Sequence, residues 1–530
     1  MNERARTAVW KFAWPLGWAL LTAAPYFAAK LAAPEGWRYL WILPPYAADS
    51  QAYFAWARQA YLGAFLFKLK FTSLHHAPFL FQPFFWAVGR AARLTGAELG
   101  AVSLVFKSAG VVLFWTAFRR LAERLGFRGS AFWSAMILAG FGAGIGGTAL
   151  SLVGPDALGG HRPIDLWLID ASTWWALTWN ALFPYSLALI VFFVETLDRA
   201  SDGEPPRWAW LAGAALALLM LVHPYAAPLL AVLAAFAAAL RRRPGVLWRI
   251  ALPAAPVAAY LVWISRAHPL VARHGELGRM DSPSWTAVLL GLAPALALAA
   301  WGLMLGKREF LRRHALLFAW AAAALLMCRL PAWFQRKFLF GVQLPLSLLA
   351  GAAVAAIAER DRGGARTAAG LVAVALALGA PSWAFVVSNT RLSLGIRENG
   401  RYYASRDLLE ALEDLARRGS PDEAVLSTRE TAGLVAMTTG KAAVWGHWAQ
   451  SVDAADTDRW FAALLAPGDP KEKSRRLWEK ADYVVAEGDL KREIDSERGR
   501  LRWLKASARL LYSNAGASVY GRPTAAPGPS

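Results

Sequence analysis

Apolar stretches of 15 to 25 residues recur from Trp10 to about Val387, each bounded by a short cluster of Lys and Arg. Past Thr390 the pattern changes to short apolar runs and amphipathic repeats. A helix that crosses a bilayer needs about 20 apolar residues, because the hydrocarbon core is roughly 30 Å thick and each residue rises about 1.5 Å. On that rule spans fall near residues 11–33, 97–118, 130–152, 172–194, 208–222, 224–240, 246–265, 285–306, 314–329, 337–358 and 367–388. The run from Trp208 to Leu240 is too long for one crossing. It divides at His223-Pro224, since proline forfeits a helical hydrogen bond but starts a helix well. The stretch His76–Leu94 is apolar but dense in aromatics and prolines, and reads as a helix lying in the membrane interface. With a preceding helix from Ser50 to Leu62, it makes residues 34–96 a long, structured first external loop.

Beyond residue 390 the periodicities are those of a polar domain. Leu408, Leu409, Leu412 and Leu415 share one face of a helix from Tyr402 to Arg418. Ala424–Ser427, Ala442–Trp445 and Tyr483–Ala486 read as strands separated by helical patterns, which suggests a small, mostly parallel sheet. Leu510–Tyr512 and Ala517–Tyr520 flank Ser513-Asn514-Ala515-Gly516 as a terminal hairpin, and the tail 523–530 is disordered by composition. The expected fold is thus an all-α polytopic membrane bundle of about 11 helices over residues 1–390, with a C-terminal extracytoplasmic α/β domain over 391–522.

Composition agrees with this division. Hydrophobic residues make up 57% and charged residues 18% of the 530, against about 25% charged in a typical soluble protein. The net charge of +20 invites a nucleic-acid reading, but many of the cations sit in short loops between apolar runs, so nucleic acid is excluded as a partner. With the N-terminus in the cytosol, cytosolic segments carry 20 Lys and Arg and the external loops 13, the sense of the positive-inside bias. An odd number of spans then exports the C-terminal domain. Trp10–Ala33 is too long for the apolar core of a cleaved signal and reads as a retained first span. The single cysteine, Cys328, allows no internal disulfide.

Candidate chemistry lies at the external ends of the spans. Asp49 stands before an amphipathic helix in Pro44-Pro45-Tyr46-Ala47-Ala48-Asp49-Ser50. Its plain reading is a helix cap, while its place in the first external loop favours a functional one. Asp156 and Asp170 are carboxylates at external helix ends, where solvated acids are common. His75 and His76 lie in the first loop, and His223 sits where a span emerges before Pro224. Arg329, Arg336 and Lys337 flank Pro331-Ala332-Trp333-Phe334 on an external turn, with Arg273 and Arg279 in the preceding external loop. Such cations can snorkel to ordinary headgroups, but they stand on the side where positive residues are disfavoured. The glycines of Gly140–Gly147 lack a preceding strand and a following Lys-Ser/Thr, and read as close helix packing.

The order of these features resembles the GT-C membrane glycosyltransferases, among them aminoarabinose transferases and protein O-mannosyltransferases. The similarity runs through Asp49-Ser50-Gln51-Ala52-Tyr53, Gly63, Phe71-Thr72-Ser73, His75-His76, Gln82-Pro83 and Gly89. It continues in Asp170-Ala171-Ser172-Thr173-Trp174 with Phe183-Pro184-Tyr185, and in Thr439-Gly440-Lys441, Gly446-His447-Trp448 and Asp482-Tyr483-Val484-Val485. The resemblance implies transfer of a sugar from a polyprenyl-phosphate-linked donor to a lipid, glycan or protein acceptor on the outer face of a bacterial plasma membrane. In it Asp49, with Asp170 or Asp156, supplies acid/base catalysis. Arg329, Arg336, Lys337 and Arg273, with His75, His76, His223 and His447, bind substrate, the cations clamping the lipid phosphate. Asp49 is followed by Ser50 and not by the second carboxylate of some branches, so the acid/base partner and the involvement of a divalent metal stay open, and no metal ligands are assigned. The competing reading is a transporter or flippase of lipid-linked saccharides. Transporters commonly carry internal repeats and broken helices at the bilayer midplane; no repeat is evident here, and the charged candidates gather at the outer boundary.

Overall fold

The computed structural model describes residues 3–361, 363–396, 400–451, 454–465, 477–496, 499 and 501–522. The tail expected to be disordered, 523–530, lies outside them. The chain divides into two compact units. The first comprises Met1–Ala24, Val105–Trp263 and Arg279–Leu392; the second comprises Pro25–Leu104, Ile264–Gly278 and Ser393–Ser530.

The first unit is helical. Among the described residues of the whole chain, six helices are long and apolar enough to cross a membrane: Leu99–Arg124, Gly129–Ala157, Gly245–Ala267, Trp285–Arg313, Gln335–Arg360 and Ala365–Gly395. Arg207–Val222, Pro224–Leu240 and Ala315–Met327 are shorter apolar helices. The run 208–240 divides at His223 as expected, where the backbone leaves the helical region before Pro224. The continuous span expected at 172–194 is not present. It is Thr173–Trp179 followed by Phe183–Ser201, because Asn180 Oδ1 accepts the Leu182 N–H (2.8 Å) and Pro184 sits in the first turn of the second helix.

The Gln343–Arg360 helix is the buried axis of this unit. Leu138, Leu298, Ala350, Val354, Ala368 and Val372 from four helices form one apolar cluster around it. Small residues set the spacing, since a side chain at Gly351 would strike Ala131 and Ala135. At the end of the bundle where Leu99–Arg124 and Phe183–Ser201 both finish, Arg124 pairs with Asp198 (2.8 Å), Asp202 (2.5 Å) and Glu204 (2.7 Å).

In the second unit, β1 (Trp37–Tyr39) pairs antiparallel with β2 (Tyr403–Ser405), joining the first loop to the C-terminal segment. A five-stranded sheet follows, from β3 (Ala424–Leu426), β4 (Ala442–Ala443), β5 (Tyr483–Glu487), β6 (Arg509–Ser513) and β7 (Ala517–Gly521), in the order β4-β3-β5-β7-β6. It is mixed rather than mostly parallel: β4, β3 and β5 run parallel, and the β6–β7 hairpin adds antiparallel to β5. The first-loop helix begins at Ala47, three residues before the expected Ser50, and ends at Leu62 against Gly63, whose positive φ lets the chain turn away. Its alanines 52 and 55 bury against Phe71, Ala432, Ala436 and Ala443, which docks the helix on Arg429–Thr439. The interfacial stretch contains a helix over Pro83–Thr95, capped by Gln82, whose side chain accepts the Phe84 and Phe85 N–H groups. Its 13 residues are too few to span a bilayer. Gly89 lets it approach the Ala47–Leu62 helix at Ala57 and Ala60, where a side chain would collide.

Candidate functional site

In the second unit the Ala47–Leu62 helix places Asp49 in its first turn, while Tyr46 occupies the cap position. Asp49 is therefore not the residue preceding the helix, as its sequence context suggested. Its carboxylate meets the segment after β4. Trp448 Nε1 donates to Asp49 Oδ1 (2.8 Å), and His447 Nε2 lies 3.3 Å from the same oxygen. The Asp49 side chain is 26% exposed and that of His447 only 3%. His447 Nδ1 accepts the backbone N–H groups of Ala449 (3.1 Å) and Gln450 (3.2 Å), and the ring rests against Phe71. Gly446 brings the histidine there: its φ is positive, and a side chain would strike Ala432.

Nearby in the same unit Lys70 is almost wholly buried. Its Nζ donates to the Pro421 carbonyl (2.7 Å) and lies 3.7 Å from Asp422. Burial pushes its pKa down to about 8, partly offset by Asp422. Asp422, hydrogen-bonded to Lys68 at 2.9 Å, is held below the usual carboxylate range.

In the first unit the basic turn is tied to the preceding loop. Met280 N–H donates to the Trp333 carbonyl (2.7 Å), and Gln335–Leu339 form a 3₁₀ turn. Lys337 Nζ donates to both oxygens of Asp170, at 2.9 and 3.2 Å. Asp170 is 5% exposed, and its carbonyl accepts the Gly341 N–H. Two of the sequence candidates thus form one buried ion pair. The Arg329 guanidinium lies over Trp285 (4.2 Å) and that of Arg336 over Trp167 (5.5 Å). Nε and one terminal nitrogen of Arg329, and Nε of Arg336, are buried and lack an acceptor among the described residues. His223 is also buried with neither ring nitrogen bonded, packed on Phe340 (4.5 Å) and sharing Phe183 with Lys337.

The remaining candidates stand apart from these groups within their units. Asp156 is exposed at the end of the Gly146–Ala157 helix. Arg279 pairs with Asp281 (2.9 Å). Arg273 and His75 are exposed, and His76 lies against the carbonyls of Ala77 and Leu69.

Sequence reasoning missed Asp165. Its Oδ2 accepts Ser382 Oγ–H (2.6 Å) and Gly146 N–H (3.1 Å), Oδ1 has no partner among the described residues, and it lines a cavity of about 40 Å³ with Gln343, Trp174 and Trp383. The glycines read as packing make this approach possible: a side chain at Gly146 would strike Asp165, and one at Gly147 would strike Pro381 and Ser382. Lys107, inside an apolar helix, was also passed over; its Nζ donates to the carbonyls of Thr22 (2.5 Å) and Thr178 (3.2 Å). Among the described residues no three His, Cys, Asp or Glu side chains converge to hold a metal.

No family model matches the sequence, and no curated protein matches it either. Solved structures do match its fold. ArnT of Cupriavidus metallidurans, bound to undecaprenyl phosphate, superposes with a TM-score of 0.53 at 12% identity, covering 98% of this chain and 99% of its own. The chain has a GT-C fold. The Archaeoglobus fulgidus oligosaccharyltransferase, tethered to an acceptor peptide, shares that fold at a TM-score of 0.52 and 14% identity, over 98% of this chain and 75% of its own. The mycobacterial arabinofuranosyltransferase AftD matches at 0.52 and 17% identity over 96% of this chain and 40% of its own. At these identities the GT-C likeness speaks for the fold, and the chemistry is argued from the residues.

Proposed function

We propose that this protein is a membrane glycosyltransferase that uses a polyprenyl-phosphate-linked sugar and transfers it to an acceptor on the outer face of the membrane. The observation that carries this reading is the basic turn at Arg329–Lys337. Buried guanidinium N–H groups without acceptors are costly, and here the two guanidinium groups lie over Trp285 and Trp167, on a turn that also carries Trp333 and Phe334. An anion attached to an apolar chain would satisfy both features. Structural relatives were solved with dolichol-phosphate and with undecaprenyl phosphate. In the reaction the acceptor's nucleophilic atom attacks the anomeric carbon while the bond to the phosphate oxygen breaks. The electron pair stays on the lipid phosphate, stabilised by Arg329 and Arg336, and Asp49 takes the acceptor's proton.

The test measures binding of undecaprenyl phosphate to the purified protein in nanodiscs. Arg336→Ala should weaken it about ten- to a hundredfold, the usual worth of a charge-assisted contact. Arg336→Lys should restore only part, because it keeps the charge and loses the planar fork. Undiminished binding in Arg329→Ala and Arg336→Ala would refute the phosphate site. Binding with no sugar transfer by the wild type in membranes holding the native donor would favour a lipid-saccharide transporter.

A further inference from the structure

The contact between Asp49 and the segment after β4 has a definite proton arrangement. A neutral imidazole has one N–H and one bare nitrogen, and the bonds of one fix the state of the other. His447 Nδ1 faces two backbone donors, the N–H groups of Ala449 and Gln450, at 3.1 and 3.2 Å. It must present its lone pair to them, so the ring proton resides on Nε2, the nitrogen 3.3 Å from Asp49 Oδ1. The ring cannot easily turn away. It is buried against Phe71, and its own backbone N–H donates to Ser451 Oγ (3.1 Å) while its carbonyl accepts the Ser451 N–H (3.1 Å). Trp448 adds a second donor to the same carboxylate oxygen, 2.8 Å away. The two consecutive side chains thus approach one oxygen of the candidate base.

We propose that His447, in its Nε2–H tautomer, is a positioning residue that fixes the Asp49 carboxylate, with Trp448 as a second, more exposed holder. The C-terminal segment is then a part of the catalytic apparatus rather than an appended domain. The inference rests on the reading of Asp49 as the base. It assigns His447 to the carboxylate, where its sequence context suggested substrate.

Two substitutions separate the halves of the ring. His447→Asn places an amide oxygen near the Nδ1 position, keeps the loop's backbone bonds and withdraws the donor from Asp49. His447→Gln reaches to the Nε2 position with an N–H and gives up the loop bonds. Transfer is measured in liposomes containing the polyprenyl-phosphate-sugar fraction extracted from the native membrane, alongside binding of undecaprenyl phosphate. His447→Asn should stay folded, bind undecaprenyl phosphate like the wild type and lose roughly ten- to a hundredfold in kcat, the scale of a misplaced catalytic group. His447→Gln should recover much of that rate despite lower thermal stability, and adding Trp448→Phe to His447→Asn should bring the rate close to that of Asp49→Asn. An inactive Asp49→Asn beside a fully active His447→Asn would overturn the positioning role alone. A fully active Asp49→Asn would overturn the reading of Asp49 as the base, and the positioning role with it. Loss of rate in His447→Asn and His447→Gln that merely follows their loss of folded protein would assign His447 to the loop's stability and also overturn the proposal.

Discussion

Replacing Lys337 by methionine should destabilise the first unit by about 3–5 kcal/mol, the cost of stripping one partner from a buried ion pair. The size follows from the geometry. Asp170 is 5% exposed and receives Lys337 Nζ on both oxygens at 2.9 and 3.2 Å, so the substitution removes two charge-assisted bonds and leaves a carboxylate away from water. Asp170→Asn should cost less, since an amide oxygen still accepts from the lysine. The double variant should return to within about 1–2 kcal/mol of the wild type, because neutral groups in place of a buried pair are often tolerated. Unfolding of the purified protein and its three variants in mixed micelles closes the double-mutant cycle. Additive effects, or a Lys337→Met protein as stable as the wild type, would refute the pair as a buried strut. The same geometry ranks the cations. The charge of Lys337 is already answered by Asp170, so Lys337→Met should weaken undecaprenyl phosphate binding less than Arg336→Ala does.

Gly146→Ala should cost about 1–3 kcal/mol by overpacking, because its methyl group meets the Asp165 carboxylate and Pro163; thermal unfolding in detergent checks it. Lys70 titrates near 8 in the folded protein against its ordinary 10.5, so between those pH values the unfolded chain holds more protons and rising pH favours the folded state. The stability of the wild type relative to Lys70→Met should therefore climb from pH 8 to 10, by at most about 1.4 kcal/mol per pH unit, and a flat difference would remove Lys70 as the cause. Cysteine labelling at Ser420 should proceed from outside the membrane only; labelling from the cytosol alone would reverse the proposed orientation and the outer-face reaction with it.

What could be read from the sequence was what neighbours in sequence decide. Apolar run length marked the helices, and Ser513-Asn514-Ala515-Gly516 marked a hairpin whose turn is closed by Asn514 Oδ1 accepting the Gly516 and Ala517 N–H groups. Pro184 carried the signal that 172–194 is broken, but hydropathy averaged over the window hides a three-residue interruption. Asp49 and the basic turn could be singled out because each lies at a helix end in a segment between apolar runs. Their partners could not. Asp165 meets Ser382 across 217 positions and Lys337 meets Asp170 across 167, and no local pattern distinguishes a carboxylate that is buried from one that is solvated. The mixed sheet was misjudged for the same reason: whether the terminal hairpin joins β5 antiparallel depends on which strand edge is left open, a property of the assembled layer.

The contact between Asp49 and Trp448 joins positions 399 residues apart. During synthesis at roughly 5–20 residues per second, Asp49 leaves the ribosome some 20–80 seconds before the indole that holds it has been made. The Ala47–Leu62 helix must wait through that interval with its alanine face uncovered, and β1 must wait for β2. The first loop therefore cannot mature in the order in which it is translated. A truncation after the Ala365–Gly395 helix but before residue 448 leaves the set of apolar helices complete and the carboxylate unfinished, so such an interrupted chain should reach the membrane yet remain chemically silent.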